Sequence, residues 1–535
     1  MVFNDHNLSL LFVFKTSIEK NILQQPRILF NLPSQPTDHN MESIIPFPPD
    51  FKFGTATAAY QIEGAFNQDG RGLSVWDQFA HTFGKTHNGD HGDTACDHYH
   101  RMEQDTDLLF DELGIKNYRM SISWTRLLPN GLLSGGINEK GVEYYNREIN
   151  YLISKGVNVV ITLFHWDYPQ YLQDQFQGWL SKEEAISAFR DYAELCFKLF
   201  GDRVKCWITL NEPAVVAWYG YGMGTAAPGR SSSNGGNSST EPYLVAHHQL
   251  LAHAHAVHIY RTKYQQEQKG KMGITVNSSY YQPLDENNPL DVQAAETQQV
   301  FKLGWFLDPV VFGDYPQIMK DRVKERLPEF SSEEKHLLKQ SFDFIGLNHY
   351  TTRYVTTFSR HENETSTSNE TKSQDSTQEK TWHTDAGGKI VMEKNGQLIG
   401  EQAESAWINV VPWGIRKILN WISQRYHDPE IYITENGVSV PNEHSLPLSQ
   451  ALHDTFRVNY LQQYLKQVSL AVMEDHVNVK AYFVWSFMDN FEWADGYSKR
   501  FGLIHVDYNG EHGEKLKRYV KDSAKWYSKQ IQNFN

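Results

Sequence analysis

From about Phe51 onward, short β-branched and aromatic runs alternate with longer amphipathic stretches, and this rhythm constrains the fold more than any other feature. The alternation calls for parallel strands covered by helices, because a parallel strand is buried on both faces and its crossover needs the length of a helix. Eight such runs can be named: Phe53 to Gln61, Asn117 to Trp124, Val157 to Trp166, Cys206 to Glu212, Met272 to Tyr281, Phe342 to Tyr350, Ile431 to Glu435 and Val479 to Phe487. Eight strands close a barrel, so the expected fold is α/β, a single (β/α)8 TIM barrel with long loops on its active-site face. Between the runs, Tyr192, Leu195 and Leu199 lie at helical spacing and Gly201-Asp202 makes a stop, which predicts a helix packed outside the strand that follows.

The runs end in groups that a core strand does not need. Gln61, Arg119 through Trp124, His165-Trp166-Asp167, Asn211-Glu212, Asn277 to Tyr280, Asn348-His349-Tyr350, Glu435-Asn436 and Trp485 leading to Glu492-Trp493 would share one rim. Barrel enzymes place their chemistry at that rim. Two of the endings are acids with a chain-breaking residue close behind: Thr-Leu-Asn-Glu212-Pro213, and Ile-Thr-Glu435-Asn-Gly437, where glycine allows a tight turn. A single glutamate at a strand end is usually a surface ion-pair partner. Two facing each other across a barrel mouth meet the need of glycoside hydrolysis with retention, which takes two carboxyls about 5 Å apart.

Composition narrows the alternatives. Hydrophobic residues at 40% exclude whole-chain disorder, and a net charge of −14 leaves no basic footprint for nucleic acid or an anionic membrane, so neutral or small substrates fit better. Three scattered cysteines, Cys96, Cys196 and Cys206, make no disulfide framework and no metal spacing. His247, His248, His253, His255 and His258 include no pair at the i, i+4 spacing of a helical zinc motif, and His165 has no companion ligand on its segment, so no metal and no cofactor is expected. Residues 1–40 read as a flexible extension before a glycosidase domain at 41–535. The apolar run Leu8 to Phe14 lacks a positive n-region and a cleavage site, which favours a cytoplasmic over a secretory chain. Arg230 to Thr240 and Ser359 to Thr381 read as surface loops, and the second, following the sixth strand, is expected to border the entrance.

The two acidic motifs together resemble family one of the glycoside hydrolases, the β-glucosidase family, and its plant-type members in particular. The resemblance extends from Phe53-Gly-Thr-Ala-Thr-Ala-Ala-Tyr-Gln-Ile-Glu-Gly64 to Asp522-Ser-Ala-Lys-Trp526. It implies Glu435 as nucleophile and Glu212 as general acid/base, with Arg119 and Asn348 in support and Tyr350 beside the nucleophile. It further implies that Gln61, His165, Asn211, Tyr350, Glu492 and Trp493 bind the sugar, that Trp485 stacks on it, and that Trp166 and Trp407 flank the leaving group. The activity so implied is exo-hydrolysis of a terminal β-D-glucosyl residue from a small glucoside. Galactosidase or fucosidase breadth and transglucosylation stay open at this point. Glu492 argues against a 6-phospho-β-glucosidase, whose phosphate it would repel, and the presence of both acids argues against a non-catalytic sugar-binding relative. In one respect the chain departs from similar plant sequences: Gly222 to Glu241 holds no cysteine where they often carry a disulfide.

Overall fold

The computed structural model describes residues 45–357, 379–511, 513–532 and 534, so the expected extension and most of the Ser359 to Thr381 loop lie outside the described residues. Eight parallel strands form the barrel: β1 Lys52–Ala56, β2 Asn117–Ser121, β3 Asn158–Phe164, β4 Cys206–Asn211, β5 Lys271–Asn277, β6 Phe344–Asn348, β7 Ile431–Asn436 and β8 Val479–Trp485. They close in the order β1-β8-β7-β6-β5-β4-β3-β2. β1 seals the ring by pairing Phe53 with Tyr482 of β8 and Thr55 with Tyr118 of β2.

The strands are apolar on both faces because helices cover the outside and interdigitated side chains fill the inside; β3 is buried from Val159 to Phe164. Five of the covering helices are α1 Glu139–Ser154, α2 Lys182–Phe200, α3 Glu241–Ile259, α4 Trp413–Tyr426 and α5 Thr455–Met473. α2 shows how sequence sets such a helix. Glu183 and Glu184 complement the positive end of its dipole in the first turn, and Ala185, Phe189, Tyr192, Cys196 and Phe200 recur at helical spacing on its buried face. It ends at Phe200 as expected, and Phe197 packs edge-on to Trp207 of β4, the strand that follows.

Several strand limits fall short of the sequence reading. β1 stops at Ala56, and Gln61 sits on a short helix, Ala59–Ile62. β5 stops at Asn277, and Tyr280–Pro283 joins Thr352–Thr356 and Lys389–Val391 in a separate three-stranded sheet. Gly437 also serves a different purpose from the turn expected of it. It has no left-handed backbone, and a Cβ there would lie 1.8 Å from the Trp485 carbonyl, so glycine is needed for close approach of β7 to β8.

The histidine run lies on α3, an outer helix, with internal partners. His247 bonds Tyr315, His248 bonds the Trp179 carbonyl, and His253 lies between Thr209 and Ser341. The Arg230 to Thr240 loop is held at its base by an Arg230–Glu241 ion pair at 2.7 Å and by reciprocal Ser232–Ser238 hydrogen bonds. Among the described residues, no helix is long and apolar enough to cross a membrane.

Candidate active site

The C-terminal ends of the strands surround a cavity of about 290 Å³ lined by Glu212, Glu435, His165, Trp166, Asn348, Tyr350, Trp407, Trp485, Glu492 and Trp493, among others. Glu435, within β7, reaches it from one side. Its two carboxylate oxygens are separately held, Oε1 by Arg119 Nη1 at 2.6 Å and Oε2 by the Tyr350 hydroxyl at 2.6 Å. Arg119 is fully buried and is itself fixed by Thr162 Oγ1, the Thr434 carbonyl and Asn211 Oδ1. An ion pair fastened this way presents a carboxylate with no freedom to turn aside.

Glu212 follows β4 on the other side, at a left-handed backbone position (φ +47°) that ends the strand and opens the Pro213–Val215 turn. Its amide bonds the Thr275 carbonyl at 2.9 Å, which stabilises a conformation that costs a non-glycine residue energy. Asn348 donates to its Oε1 at 2.5 Å, but no arginine or lysine pairs with it among the described residues. Burial, and after it the charge of Glu435, push the Glu212 carboxyl up to about 8. The two strand-end acids are therefore unlike: one is paired with a cation and the other is biased to keep its proton.

The groups expected around the sugar converge on the β8-β1-β3 side. Gln61 Nε2 donates to Asn490 Oδ1, to the Phe491 carbonyl and to Glu492 Oε2. Asn211 bonds His165 at 3.1 Å, and the His165 ring stacks within 5.9 Å of both Trp485 and Trp493. Burial, then Asp495 and Glu435, raise Glu492 to about 8, while burial and Arg119 hold His165 well below its ordinary range and hence neutral. Gln61, Asn211 and Arg119 stand behind the wall, gripping residues that line it. His165 Nδ1 and Asn277 Oδ1, both on lining residues, are buried with no partner, as is Gln61 Oε1 behind them. Buried polar atoms are nearly always satisfied, so the two on lining residues are available to a polar ligand.

Trp166 and Trp407 both line the cavity, and Trp407 is 48% exposed, so it is not a core indole. The rim stretch Asn277 to Tyr280 contributes Asn277, Ser278 and Ser279 to the lining, while the sequence reading missed Tyr219, Tyr281, Lys302, Arg353, Ile390 and Phe501, which also line the cavity. Among the described residues, the two clusters able to offer a metal three His or carboxylate ligands, His81/His91/Asp93 and Glu443/Asp489/His505, contribute nothing to the cavity lining. The second is already filled by Lys521, which pairs with both Glu443 and Asp489.

A carboxylate fixed for attack, a protonated carboxyl across from it and a wall with polar atoms available to a ligand together make a site able to cleave a glycosidic bond by double displacement. The comparisons with known proteins agree. Residues 43–535 match the model of Glycosyl hydrolase family 1. The chain is 46% identical over 490 residues to Beta-glucosidase 6 of Oryza sativa subsp. japonica, covering 90% of this chain and 89% of the relative. It is 45% identical over 504 residues to Raucaffricine-O-beta-D-glucosidase of Rauvolfia serpentina, covering 90% of each. It superposes on a rice β-glucosidase crystal structure with a TM-score of 0.85 at 45% identity, covering 90% of this chain and 98% of that one. For a β-glucosidase from Trichoderma harzianum the TM-score is 0.83 at 42% identity, with coverage of 92% and 98%. By the family model that spans its barrel, and by relatives matched along nearly their whole length, this chain belongs to glycosyl hydrolase family 1.

Proposed function

We propose that the protein is a retaining exo-β-glucosidase that removes a terminal β-D-glucosyl residue from small glucosides, with Glu435 as nucleophile and Glu212 as general acid/base. The contrast between the two acids carries this reading: Glu435 is held by Arg119 and Tyr350, whereas Glu212 is raised to about 8 and keeps its proton at neutral pH. Glu435 attacks the anomeric carbon as Glu212 protonates the departing glycosidic oxygen, and the aglycone leaves as a neutral alcohol. Esterification removes the Glu435 charge that had helped to raise Glu212. The acid, now a carboxylate, becomes the better base and takes a proton from the water that cleaves the glycosyl ester. His165, Glu492 and Trp493 hold the sugar hydroxyls, Gln61 and Asn211 complete that set by fixing Glu492 and His165, Trp485 offers the stacking face, and Trp166 and Trp407 flank the aglycone. The β-glucosidase names of relatives at 45% and 46% identity support glucose as the sugar.

Glu435→Gly is the direct test. Hydrolysis of aryl β-glucosides should fall by roughly 10⁴-fold or more, as on removal of other enzymatic nucleophiles. The emptied pocket should still transfer glucose from α-glucosyl fluoride to an acceptor, because that donor has the configuration of the missing intermediate. NMR of the first product of the unaltered enzyme should show the β-anomer. Intact hydrolysis in Glu435→Gly, or an α-anomer as first product, would refute the assignment.

A further inference from the structure

We propose that the leaving-group half of the cavity accepts an aglycone carrying a carboxylate, with Lys302 as its ion-pair partner. The inference rests on the glucosidase reading and narrows its substrate class. Lys302 lies in the helical turn Val300–Gly304, outside every motif that marks the acids, and its side chain lines the same cavity as Glu212. Among the described residues no carboxylate lies within ion-pair distance of its ammonium, which sits 5.8 Å from the centre of the Trp382 ring. Burial draws the Lys302 ammonium down to about 8, and only the charge of Glu212 opposes this. Lys302 is only partly buried, and an ammonium set in a cavity wall without an ion-pair partner is open to an anionic group of a ligand.

The surroundings point the same way. Glu212 lines the same cavity but makes no ion pair with Lys302; its carboxyl accepts from Asn348. Glu435 is taken by Arg119, and Glu492 belongs to the opposite wall with Gln61. Arg353 stands in the same wall as Lys302, and its guanidinium is spent on four neutral acceptors: Thr351 Oγ1, the Thr352 and Trp407 carbonyls and Asn409 Oδ1. Lys302 and Arg353 are thus the two Lys/Arg side chains among the cavity's lining residues, in a chain whose net charge is −14. Over distances beyond about 8 Å salt screens the overall charge, so the local cations decide what binds. Tyr219 and Ser279 add hydroxyl donors to the same lining. Because Glu212 delivers its proton to the glycosidic oxygen, a leaving group beside it lies within the field of Lys302.

The test compares 4-carboxyphenyl β-D-glucoside with its methyl ester on the full-length enzyme and on Lys302→Gln, Lys302→Arg and Lys302→Glu. The readout is the ratio of kcat/KM for the acid to that for the ester. Dividing one substrate by the other removes any effect that Lys302 exerts on Glu212, since both need the same proton. The ratio should fall on the order of tenfold in Lys302→Gln, as for loss of one charged hydrogen bond, and further in Lys302→Glu. It should stay within about threefold in Lys302→Arg, which keeps the charge. In the unaltered enzyme the ratio should also shrink as ionic strength rises, a measurement that needs no variant to fold. Hydrolysis of both glucosides with a ratio indifferent to all three substitutions and to salt overturns this inference alone. Failure of the unaltered enzyme to hydrolyse either one overturns the glucosidase reading and this inference with it.

Discussion

On the β8-β1-β3 side of the cavity the side chains hold one another: Gln61 grips Glu492, Asn211 grips His165, and Trp485 and Trp493 stack against the His165 ring. On the β4-β6 side the residues come from separate segments, joined chiefly through Arg353, which bonds Thr351 Oγ1 and the Trp407 carbonyl. Tyr281, Arg353 and Ile390 come from the accessory sheet, Ser279 from a connecting loop, and Trp407 is 48% exposed. A wall whose members fix one another can recognise a rigid sugar through many aligned hydrogen bonds, while a wall assembled from separate segments tolerates varied aglycones. The difference reaches below the surface. The loop that carries Glu492 and Trp493 is anchored by a buried ion network in which Lys521 pairs with Asp489 and Glu443, and Arg457 with Glu443 and Asp454. The sugar side is thus built as part of the core, and the leaving-group side as an addition to it.

The largest effect should come from breaking that anchor. Lys521→Met removes a fully buried cation and leaves Asp489 and Glu443 short of positive charge, which should destabilise the protein by about 3–5 kcal/mol. Denaturant unfolding would measure this, and a change below about 1 kcal/mol would mean that the network is not what holds the sugar side rigid. Next in size is Glu492→Gln. Loss of one charge-capable partner to a sugar hydroxyl should lower kcat/KM on the order of 10²-fold. The loss should be equal for every aglycone, because the altered contact is to the sugar alone. An aglycone-dependent loss would dissolve the division between the two walls.

The division also explains which parts of the site were legible in the sequence. Glu212 and Glu435 could be found because each closes a strand within a short motif, and the barrel rule places strand ends together. Gln61 shows where the strand-end argument fails: it bonds Glu492 of the cavity wall, but from a short helix after β1 and not from the strand. Lys302 and Arg353 left no such mark. In Val-Phe-Lys-Leu-Gly a lysine reads as the solvated face of a helix, and Arg353 lies on an accessory strand, Thr352–Thr356, between the expected sixth strand and the expected loop, where the sequence marks no element. The break of β5 at Asn277 was hidden because Ile274-Thr-Val and Tyr280-Tyr281 are equally good strand formers, and only pairing partners decide between one long strand and two short ones. Gly437 shows the same limit, since a carbonyl of the neighbouring strand is what forbids a side chain there.

The pH profile should separate the walls by about tenfold per pH unit. The carboxyl of Glu212 is raised, so the proton it must donate is present below about 8 and lost as pH rises through that value. For a glucoside with a poor leaving group, kcat/KM should therefore fall on the alkaline side. With 2,4-dinitrophenyl β-glucoside, whose leaving group needs no proton, the part of that limb due to Glu212 should disappear. Glu492 and Lys302 titrate in the same range, so any limb that persists for both substrates should move in Glu492→Gln or in Lys302→Gln. Identical limbs for both substrates that neither substitution moves would remove Glu212 from the acid role.

The smallest predicted effect is the most discriminating. Trp407 packs edge-to-face on Tyr350 with ring centroids 5.4 Å apart, and Tyr350 in turn holds Glu435. Trp407→Ala should cost aryl glucosides no more than about tenfold in kcat/KM, the worth of one partly exposed aromatic contact. The glycosyl-enzyme has already shed its aglycone, so kcat should be unchanged for substrates limited by hydrolysis of that intermediate. A fall in kcat there would place the effect on Glu435 through Tyr350, making Trp407 a positioning residue of the sugar side. An unchanged kcat, with a loss that grows with the size of the aglycone, keeps it on the other wall, where only the leaving group touches it.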